Sequence, residues 1–242
     1  MKKITALVLA LMLVFAFVSC GATADISMSS EQYANAKIKS EGVMTYAEYA
    51  AAPLDAPVVI EAYVQATQSW WDNKITVYAA DLDGAYFLYE MACSEADAAK
   101  LVPGAKIKVT GYKGAWAGEV EVMGASFEFV GAEGDSFVAP ALNVTSLVGK
   151  EDLVKYQNQL VVFNGMEVVS VEYKGGERGD DVYLTAKLGN VEVSFCVERY
   201  LTDPDTEVYQ AVEALAAGDV INVEAFLYWY NGANPHVVGI SK

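Results

Sequence analysis

Residues 101–112 read LVPGAKIKVTGY, and residues 215–226 read LAAGDVINVEAF. Six positions match at a constant shift of 114 (215 minus 101): the leucine, the first glycine, the isoleucine, the valine, a small residue and the closing aromatic residue. Gly118 and Gly232 extend the match. A glycine ahead of an alternating apolar run is typical of a helix that ends just before a strand. Because this period is too long for a solenoid, the repeat predicts two copies of one domain.

A weaker match lies upstream. Residues 57–64 resemble residues 159–166, at a shift of 102 positions (159 minus 57). The smaller shift predicts that the second copy carries twelve more residues between the two matches (114 minus 102).

Each copy is predicted to contain three strands, a helix and two more strands. In the first copy, Thr45 and Glu48 have the spacing of a capping box that begins a short helix, and Ser94 is expected to cap the helix that ends at Pro103-Gly104. Runs of alternating apolar residues predict the strands. They span 58–66, 74–80, 85–91, 106–112 and 119–130 in the first copy, and 160–173, 181–188, 191–200, 219–229 and 236–240 in the second.

This order of elements is that of the OB-fold. We therefore predict a mainly β chain with two tandem OB-fold-like five-stranded Greek-key barrels, each with a short helix between strands three and four. Their predicted ranges are 41–131 and 137–242, joined by a linker over 132–136. The alternative, two immunoglobulin-like sandwiches, fits less well because each would need about seven strands and no helix in mid-domain.

The N-terminus has the pattern of an export signal. Lys2 and Lys3 precede an apolar run over 4–18, which is shorter than the roughly twenty residues that span a membrane. Residues 1–19 are therefore predicted to be a signal peptide. The sequence Phe17-Val18-Ser19-Cys20 is similar to a bacterial lipobox, although leucine is usual where Phe17 stands. We expect Cys20 to carry lipid and residues 20–40 to form a lipid-anchored linker, which places the protein outside the cytoplasm on the cell membrane. The alternative is an ordinary signal with a cysteine there by chance.

The amino-acid composition limits which functions the chain can have. The chain carries 32 acidic and 16 basic residues, a formal charge of −16, which disfavours binding to nucleic acid. Cys93 and Cys196 lie in apolar runs and are expected to be buried free thiols, with a disulfide between them as the alternative. The only histidine, His236, begins a strand and is expected at the surface. No pattern predicts a catalytic site, a cofactor or a metal site, so the chain is predicted not to be an enzyme.

Four features of the sequence are relevant here: the cysteine-ended signal, the turn over residues 69–74 (SWWDNK), the strand over residues 86–89 (YFLY) and the run over residues 101–111. On these features the chain resembles the OB-fold-containing lipoproteins of Gram-positive gut anaerobes. Proteins of that family are mostly of unknown function. The resemblance implies the fold and the location, together with a general capacity of the fold to bind oligosaccharide or single-stranded nucleic acid.

Aromatic residues are the candidate binding residues. Trp70 and Trp71 lie in the first hairpin turn and Trp116 in the fourth, so the three are predicted to line one shallow site, with Tyr86 or Tyr89 on its floor. Trp229 and Tyr230 are the counterparts in the second domain. Exposed rings stack on sugars and bases alike, and the low positive charge favours an oligosaccharide. Two alternatives remain: these rings pack inside the barrels, or the chain is an envelope spacer that assembles with a protein partner.

Overall fold

The computed structural model describes residues 30–132 and 134–242. The predicted signal peptide (1–19), the lipidation site Cys20 and residues 20–29 of the predicted linker lie outside these residues. In the described ranges, no helix is long and apolar enough to cross a membrane.

The first domain is a closed barrel of five strands. Strands β1 (Pro57–Thr67), β2 (Lys74–Ala80), β3 (Ala85–Ala92), β4 (Lys106–Trp116) and β5 (Glu119–Phe129) close in the order β1-β2-β3-β5-β4. The β3–β5 pair is parallel and the other pairs are antiparallel. Helices α1 (Ser30–Ala36) and α2 (Tyr46–Ala51) precede the barrel, and α3 (Glu95–Ala98) connects β3 to β4. The capping box of Thr45 and Glu48 begins α2, and Ser94 caps α3, as predicted.

The second domain repeats this topology. Its elements are β6 (Leu142–Asn143), β7 (Leu160–Tyr173), β8 (Val182–Leu188), β9 (Val191–Val197), α4 (Glu207–Glu213), β10 (Val220–Phe226) and β11 (His236–Ser241). The sheet runs β10-β11-β9-β8-β7-β6, and β10 also pairs with β7, so that five strands return on themselves in the order of the first barrel. The prediction of a mainly β chain with two OB-ordered barrels is confirmed, and β6 is an additional short strand parallel to β7.

The same glycine turn enters the fourth strand of each barrel. Gly104 and Gly218 have φ of 89° and 90°. The backbone N–H of Gly104 donates to the carbonyl of Val64 (2.8 Å), and that of Gly218 donates to the carbonyl of Val168 (2.9 Å). Only glycine adopts this backbone conformation without steric cost, which explains why this residue recurs in the repeat.

Strand pairing corrects the upstream match. Pro57 pairs with Tyr112, and Leu160 pairs with Phe226. Since Tyr112 and Phe226 are related by 114 positions, the upstream shift is 103 there (160 minus 57). The predicted shift of 102 was wrong by one position, because a run of consecutive β-branched residues does not distinguish neighbouring registers.

Each barrel has its own apolar core. Cys93 belongs to the core of the first barrel, whereas Cys196 is buried outside the core of the second barrel, opposite His236 on the neighbouring strand. Cys93 and Cys196 are free and 6% and 4% exposed, so the prediction of buried free thiols is confirmed. Burial raises the pKa of both thiols.

Neither predicted linker is loose where the structure describes it. Ala36 in α1 is buried against the first barrel, and Lys39 Nζ lies 2.6 Å from a carboxylate oxygen of Asp81. In the linker between the domains, Asp135 accepts a hydrogen bond from the hydroxyl of Tyr63 and forms an ion pair with Lys106. The polar composition suggested free chain, but these charged side chains find partners on the barrel wall.

The start of the second domain also differs from the prediction. Phe137, where that domain was expected to begin, packs edge-on against Tyr63 of the first barrel with ring centroids 5.7 Å apart. The chain leaves the first barrel only after this contact.

Candidate functional site

The β1–β2 hairpin presents one tryptophan to solvent. The backbones of Trp71 and Lys74 exchange two hydrogen bonds of 3.0 and 2.9 Å. Asp72 and Asn73 between them both have positive φ (48° and 58°), the conformation of a two-residue turn that matches the twist of a hairpin. The turn leaves the Trp71 side chain 69% exposed.

Trp71 forms one wall of a groove of about 340 Å³ at the edge of the first barrel. Tyr89 of β3 and Tyr200, which follows β9 in the second barrel, also line it, and they are 41% and 54% exposed. We call this feature the aromatic groove. Its volume is in the range of ligand pockets, and the three rings offer flat apolar faces beside polar groups from Gln68, Ser69 and Thr76.

The second barrel contributes Tyr200 through a backbone contact. The carbonyl of Tyr200 accepts hydrogen bonds from the N–H (2.7 Å) and the hydroxyl (3.2 Å) of Ser69. The Glu198 carboxylate accepts from the N–H groups of Tyr200 and Leu201 and so fixes the turn after β9. Burial raises the pKa of Glu198 to about 7. The groove is therefore complete only when the two barrels are docked.

A charged pair lies among the three rings. Lys74 Nζ is 2.7 Å from a carboxylate oxygen of Glu90, and their side chains are 44% and 39% exposed. Glu90 has φ of 43°, and its N–H donates to the hydroxyl of Thr76 (3.2 Å) where the β2–β3 register shifts. A bulge of this kind redirects a side chain, here toward Lys74. The hydrogen bond and charge of Glu90 raise the pKa of Lys74.

Two predicted site residues are structural. Trp70 is half-buried against the barrel core, and its indole N–H donates to the carbonyl of Cys93 (2.9 Å). Tyr86 is fully buried and its hydroxyl donates to Asp81 (2.8 Å). Neighbouring strand residues face opposite sides, so the exposure of Trp71 places Trp70 inward. The prediction that Trp70 and Tyr86 contact a ligand is corrected accordingly, whereas Tyr89 does line the groove.

Trp116 lies outside the aromatic groove. It is 64% exposed at the end of β4 and shares a face of the β4–β5 hairpin with Tyr112 and Met123, which are 56% and 42% exposed. Gly114 lies beneath the Met123 side chain, because a Cβ on this glycine would come within 2.3 Å of the Met123 sulfur. The predicted cluster of three tryptophans therefore separates into one groove residue, one core residue and one residue of an apolar strip.

The aromatic residues of the second domain lie at its contact with the first. Trp229 is half-buried, and its ring packs close to Gly118. Tyr230 is 55% exposed, and the next residue, Asn231, donates its N–H to the carbonyl of Ala117 (2.7 Å). These residues flank the junction of the barrels and do not line the aromatic groove.

A buried aromatic layer joins the two barrels, and we call this contact surface the seam. Tyr78 of β2 stacks on Phe226 of β10 with ring centroids 4.5 Å apart. Phe87 of β3 meets the edge of Tyr228 at 5.2 Å. Tyr228 in turn stacks on His236 at 4.2 Å. The second barrel thus covers the outer face of β2 and β3 at Tyr78 and Phe87.

His236 belongs to the seam. It is 6% exposed, and its Nδ1 forms a hydrogen bond of 2.5 Å with the hydroxyl of Tyr78. Burial lowers the pKa of His236 to about 3, so the ring is neutral at physiological pH. The prediction of a surface histidine was wrong, because the edge of its own barrel is covered by the other one.

The seam also buries a carboxyl group. Glu119 is 0% exposed, and one of its oxygens accepts from the N–H of Trp229 (2.8 Å). Among the described residues, its other oxygen and the amide oxygen of Asn158 have no hydrogen-bond partner, although the two side chains lie within hydrogen-bonding reach of each other. Burial raises the pKa of Glu119 to about 8. Glu119 is therefore protonated over most of the neutral pH range.

A more open depression adjoins the aromatic groove on the far side of the β1–β2 turn. It has a volume of about 590 Å³ and is lined by Asn73, Ser94, Phe127 and Phe129, among others. In the part of the chain that the structure describes, no three histidine, cysteine or acidic side chains are grouped so that they could hold a metal ion.

Comparisons with known proteins leave the family open. No protein-family model matches the chain, and no curated protein matches it. Solved structures that resemble it include the Ifi202 HINa domain in complex with a 20 bp double-stranded DNA (11% identity, 78% of this chain, 96% of that chain, TM-score 0.34). Another is a Replication Protein A heterotrimer bound to single-stranded DNA (13% identity, 84% of this chain, 51% of that chain, TM-score 0.32). Scores this low carry no argument about what this chain binds.

Of the residues that line the groove, sequence reasoning predicted only Trp71 and Tyr89, and it missed Tyr200 and Glu90 among others. Tyr200 was included at the end of a predicted strand, and nothing in the sequence indicates that it approaches Ser69. Glu90 follows Tyr89 directly. Glutamate seldom adopts a positive φ, so nothing in the sequence indicates that the backbone turns at this position.

Proposed function

We propose that the protein is an extracytoplasmic, membrane-tethered binding protein that holds a neutral oligosaccharide in the aromatic groove. The observation that carries the proposal is the convergence of three exposed rings from both barrels, Trp71, Tyr89 and Tyr200, on one groove. Aromatic faces stack on the C–H faces of sugar rings without requiring charge.

Nucleic acid fits this surface less well. The net charge of −16 repels a phosphate backbone, and the cation in the groove, Lys74, is already paired with Glu90.

The location and the absence of catalysis remain part of the proposal. The predicted signal peptide and the predicted lipidation of Cys20 support an extracytoplasmic location, and the resemblance to gut lipoproteins agrees with it. Two carboxyl groups, Glu119 and Glu198, have strongly raised pKa values, a property of many catalytic acids. Glu119 has no exposed surface and cannot contact a substrate. Glu198 accepts hydrogen bonds from the N–H groups of Tyr200 and Leu201 and does not line the groove. We therefore propose binding without catalysis.

Replacing Trp71 with alanine tests the proposal. Stacking on an aromatic side chain is worth about 1–3 kcal/mol per base in nucleic-acid complexes, and a similar value for a sugar predicts about a tenfold to hundredfold loss of affinity. The measurement is calorimetric titration of the full chain with neutral gluco-, manno- and galacto-configured hexasaccharides. Because Trp71 is 69% exposed, the melting temperature should not change.

Trp116→Ala is the matched control, since this tryptophan is equally exposed and lies outside the groove. It should bind as the wild type does. If the wild type binds none of the hexasaccharides, or if Trp71→Ala binds as well as the wild type, oligosaccharide binding in this groove is refuted.

The apolar strip of Tyr112, Trp116 and Met123 favours a second candidate function, assembly with a protein partner. In that case the substitution Trp116→Ala, rather than Trp71→Ala, would disrupt the functional contact, so the same pair of variants separates the two functions.

A further inference from the structure

We infer that Lys74 and Glu90 are the specificity-determining pair of the aromatic groove, and that they select an uncharged sugar unit through two adjacent hydroxyl groups. This inference rests on the proposed function of the groove and adds to it the chemical class of the ligand.

The position of the pair is the first argument. Both side chains line the groove beside Trp71, Tyr89 and Tyr200, so a sugar ring stacked on an aromatic face brings its hydroxyl groups to the edge where the charges lie. Each of the two side chains keeps more than a third of its surface exposed. Both are therefore accessible to a ligand.

The backbone of Glu90 is the second argument. A residue with a Cβ is sterically disfavoured at φ of 43°, and strained residues of this kind concentrate at functional sites. The strain is maintained by the hydrogen bond from the Glu90 N–H to the hydroxyl of Thr76. An ordinary surface ion pair forms without a residue at positive φ. Glu167 and Lys187 form one on the regular β7–β8 ladder, 3.0 Å apart.

Hydrogen-bonding chemistry is the third argument. A carboxylate only accepts hydrogen bonds and an ammonium only donates them, whereas a hydroxyl group does both. Lys74 Nζ and the Glu90 oxygen lie 2.7 Å apart, comparable to the separation of two hydroxyl oxygens on neighbouring carbons of a pyranose. One hydroxyl can donate to Glu90 while its neighbour accepts from Lys74.

The local charge excludes acidic sugars. Glu90 neutralises Lys74, and Asp72 in the turn adds further negative charge nearby. Among the residues that line the groove, Lys74 is the only cation, and it is paired with Glu90. Arg199 lies over the Tyr200 ring, 5.1 Å from the ring centroid, but does not line the groove. A carboxylated sugar in the groove would therefore meet repulsion from the local negative charge. The groove is therefore selective for neutral chains.

The test uses pairs of probes that differ only in charge. The full chain is titrated with neutral gluco-, manno- and galacto-configured hexasaccharides and with the same chains oxidised to carboxylates at C6. Since hydrogen bonds to charged groups contribute about 1.5–3 kcal/mol, the wild type should prefer the best neutral chain over its oxidised form by at least about tenfold. Glu90→Gln leaves Lys74 as an unpaired cation, so this preference should fall to parity or reverse.

Glu167→Gln is the matched control, because it removes a carboxylate from an equally exposed cross-strand pair far from the groove. It should keep the wild-type preference. Glu90→Asn provides a second measurement, since asparagine tolerates positive φ: it should lose at least about tenfold in affinity without any fall in melting temperature.

The outcomes separate the two claims. If the wild type binds a neutral chain and depends on Trp71, but Glu90→Gln keeps the wild-type preference, the specificity pair is refuted and the proposed function stands. A fall in melting temperature of Glu90→Asn would mark Glu90 as a structural residue and also refute the pair. If no neutral chain binds the wild type, the proposed function itself fails.

Discussion

Replacing Glu119 with glutamine is expected to raise the free energy of unfolding by about 5 kcal/mol at pH 9 and to change it little at pH 4.5. The physical reason is the burial of this carboxyl group at the seam, which raises its pKa from the ordinary value of 4.5 to about 8. Glutamine keeps the shape of the protonated acid. Its amide oxygen accepts from the N–H of Trp229, and its amide nitrogen supplies the donor that the oxygen of Asn158 lacks.

The direction of the pH dependence follows from proton binding. Between pH 4.5 and 8 the folded chain holds a proton on Glu119 that the unfolded chain has released, so the stability of the wild type falls as the pH rises through this window. The raised pKa values of Glu198 and of Glu121, which neighbours Glu119 on β5, act in the same direction. Tyr49 and Tyr228, which interact electrostatically with Glu119, remain neutral throughout because their own pKa values are raised.

His236 produces the opposite dependence at acid pH. Its pKa is lowered from 6.5 to about 3, so the unfolded chain binds a proton more readily and stability is lost as the pH falls from 6.5 toward 3. Together these groups predict a maximum of stability near pH 5 for the wild type.

Urea denaturation at pH 3.5, 5, 7 and 9 measures this profile. Glu119→Gln should show a smaller alkaline decline than the wild type, because the contribution of Glu119 is lost while those of Glu198 and Glu121 remain, and it should keep the acid decline. The surface variant Glu167→Gln should follow the wild type. If the free energy of unfolding falls equally between pH 5 and pH 9 in the wild type and in Glu119→Gln, ionising Glu119 does not destabilise the folded chain and the prediction is wrong.

Phe226→Ala is expected to cost about 3–5 kcal/mol of stability, the usual cost of truncating a buried phenylalanine. Phe226 is 4% exposed and stacks on Tyr78 across the seam. Without this ring the barrels should part more readily, and because Tyr200 belongs to the second barrel, the aromatic groove should lose affinity for its ligand as well.

The repeat supplies a control for this variant. Tyr112 occupies the position in the first barrel that Phe226 occupies in the second (112 plus 114), but it is 56% exposed. Tyr112→Ala should cost less than about 1 kcal/mol, as surface substitutions usually do. The two variants are compared by chemical denaturation and by titration with the best-binding hexasaccharide. Equal losses in both variants would mean that the seam contributes nothing to stability.

Strands and turns could be predicted from the sequence because they depend on local patterns. The predicted bounds of 74–80 and 160–173 agree with β2 and β7, since a period of two in apolar residues is sufficient to define a half-buried strand. The same alternation explains why Trp71 is exposed while Trp70 packs on the core.

The sequence did not predict which part of the protein covers the outer face of each strand. Alternation assigns Tyr78 and Phe87 to the outer face of the first barrel, and only the docked position of the second barrel makes that face interior. The same docking buries His236 and brings Tyr200 to Ser69. The groove therefore depends on contacts between residues more than a hundred positions apart, for which a single sequence carries no signal.

The two buried thiols provide a built-in reporter of how the molecule comes apart. Cys93 packs in the core of the first barrel, whereas Cys196 lies beside His236 on the outer side of β9, and burial raises the pKa of both thiols. Cys93 should therefore resist a thiol reagent while its barrel is intact, and Cys196 should resist it while the seam is closed. Timed alkylation followed by peptide mass analysis can show whether the first barrel opens or the seam parts first, without any engineered label. It also gives the modification state of Cys20 in the same experiment, because a cysteine that carries lipid on its sulfur has no thiol left to alkylate.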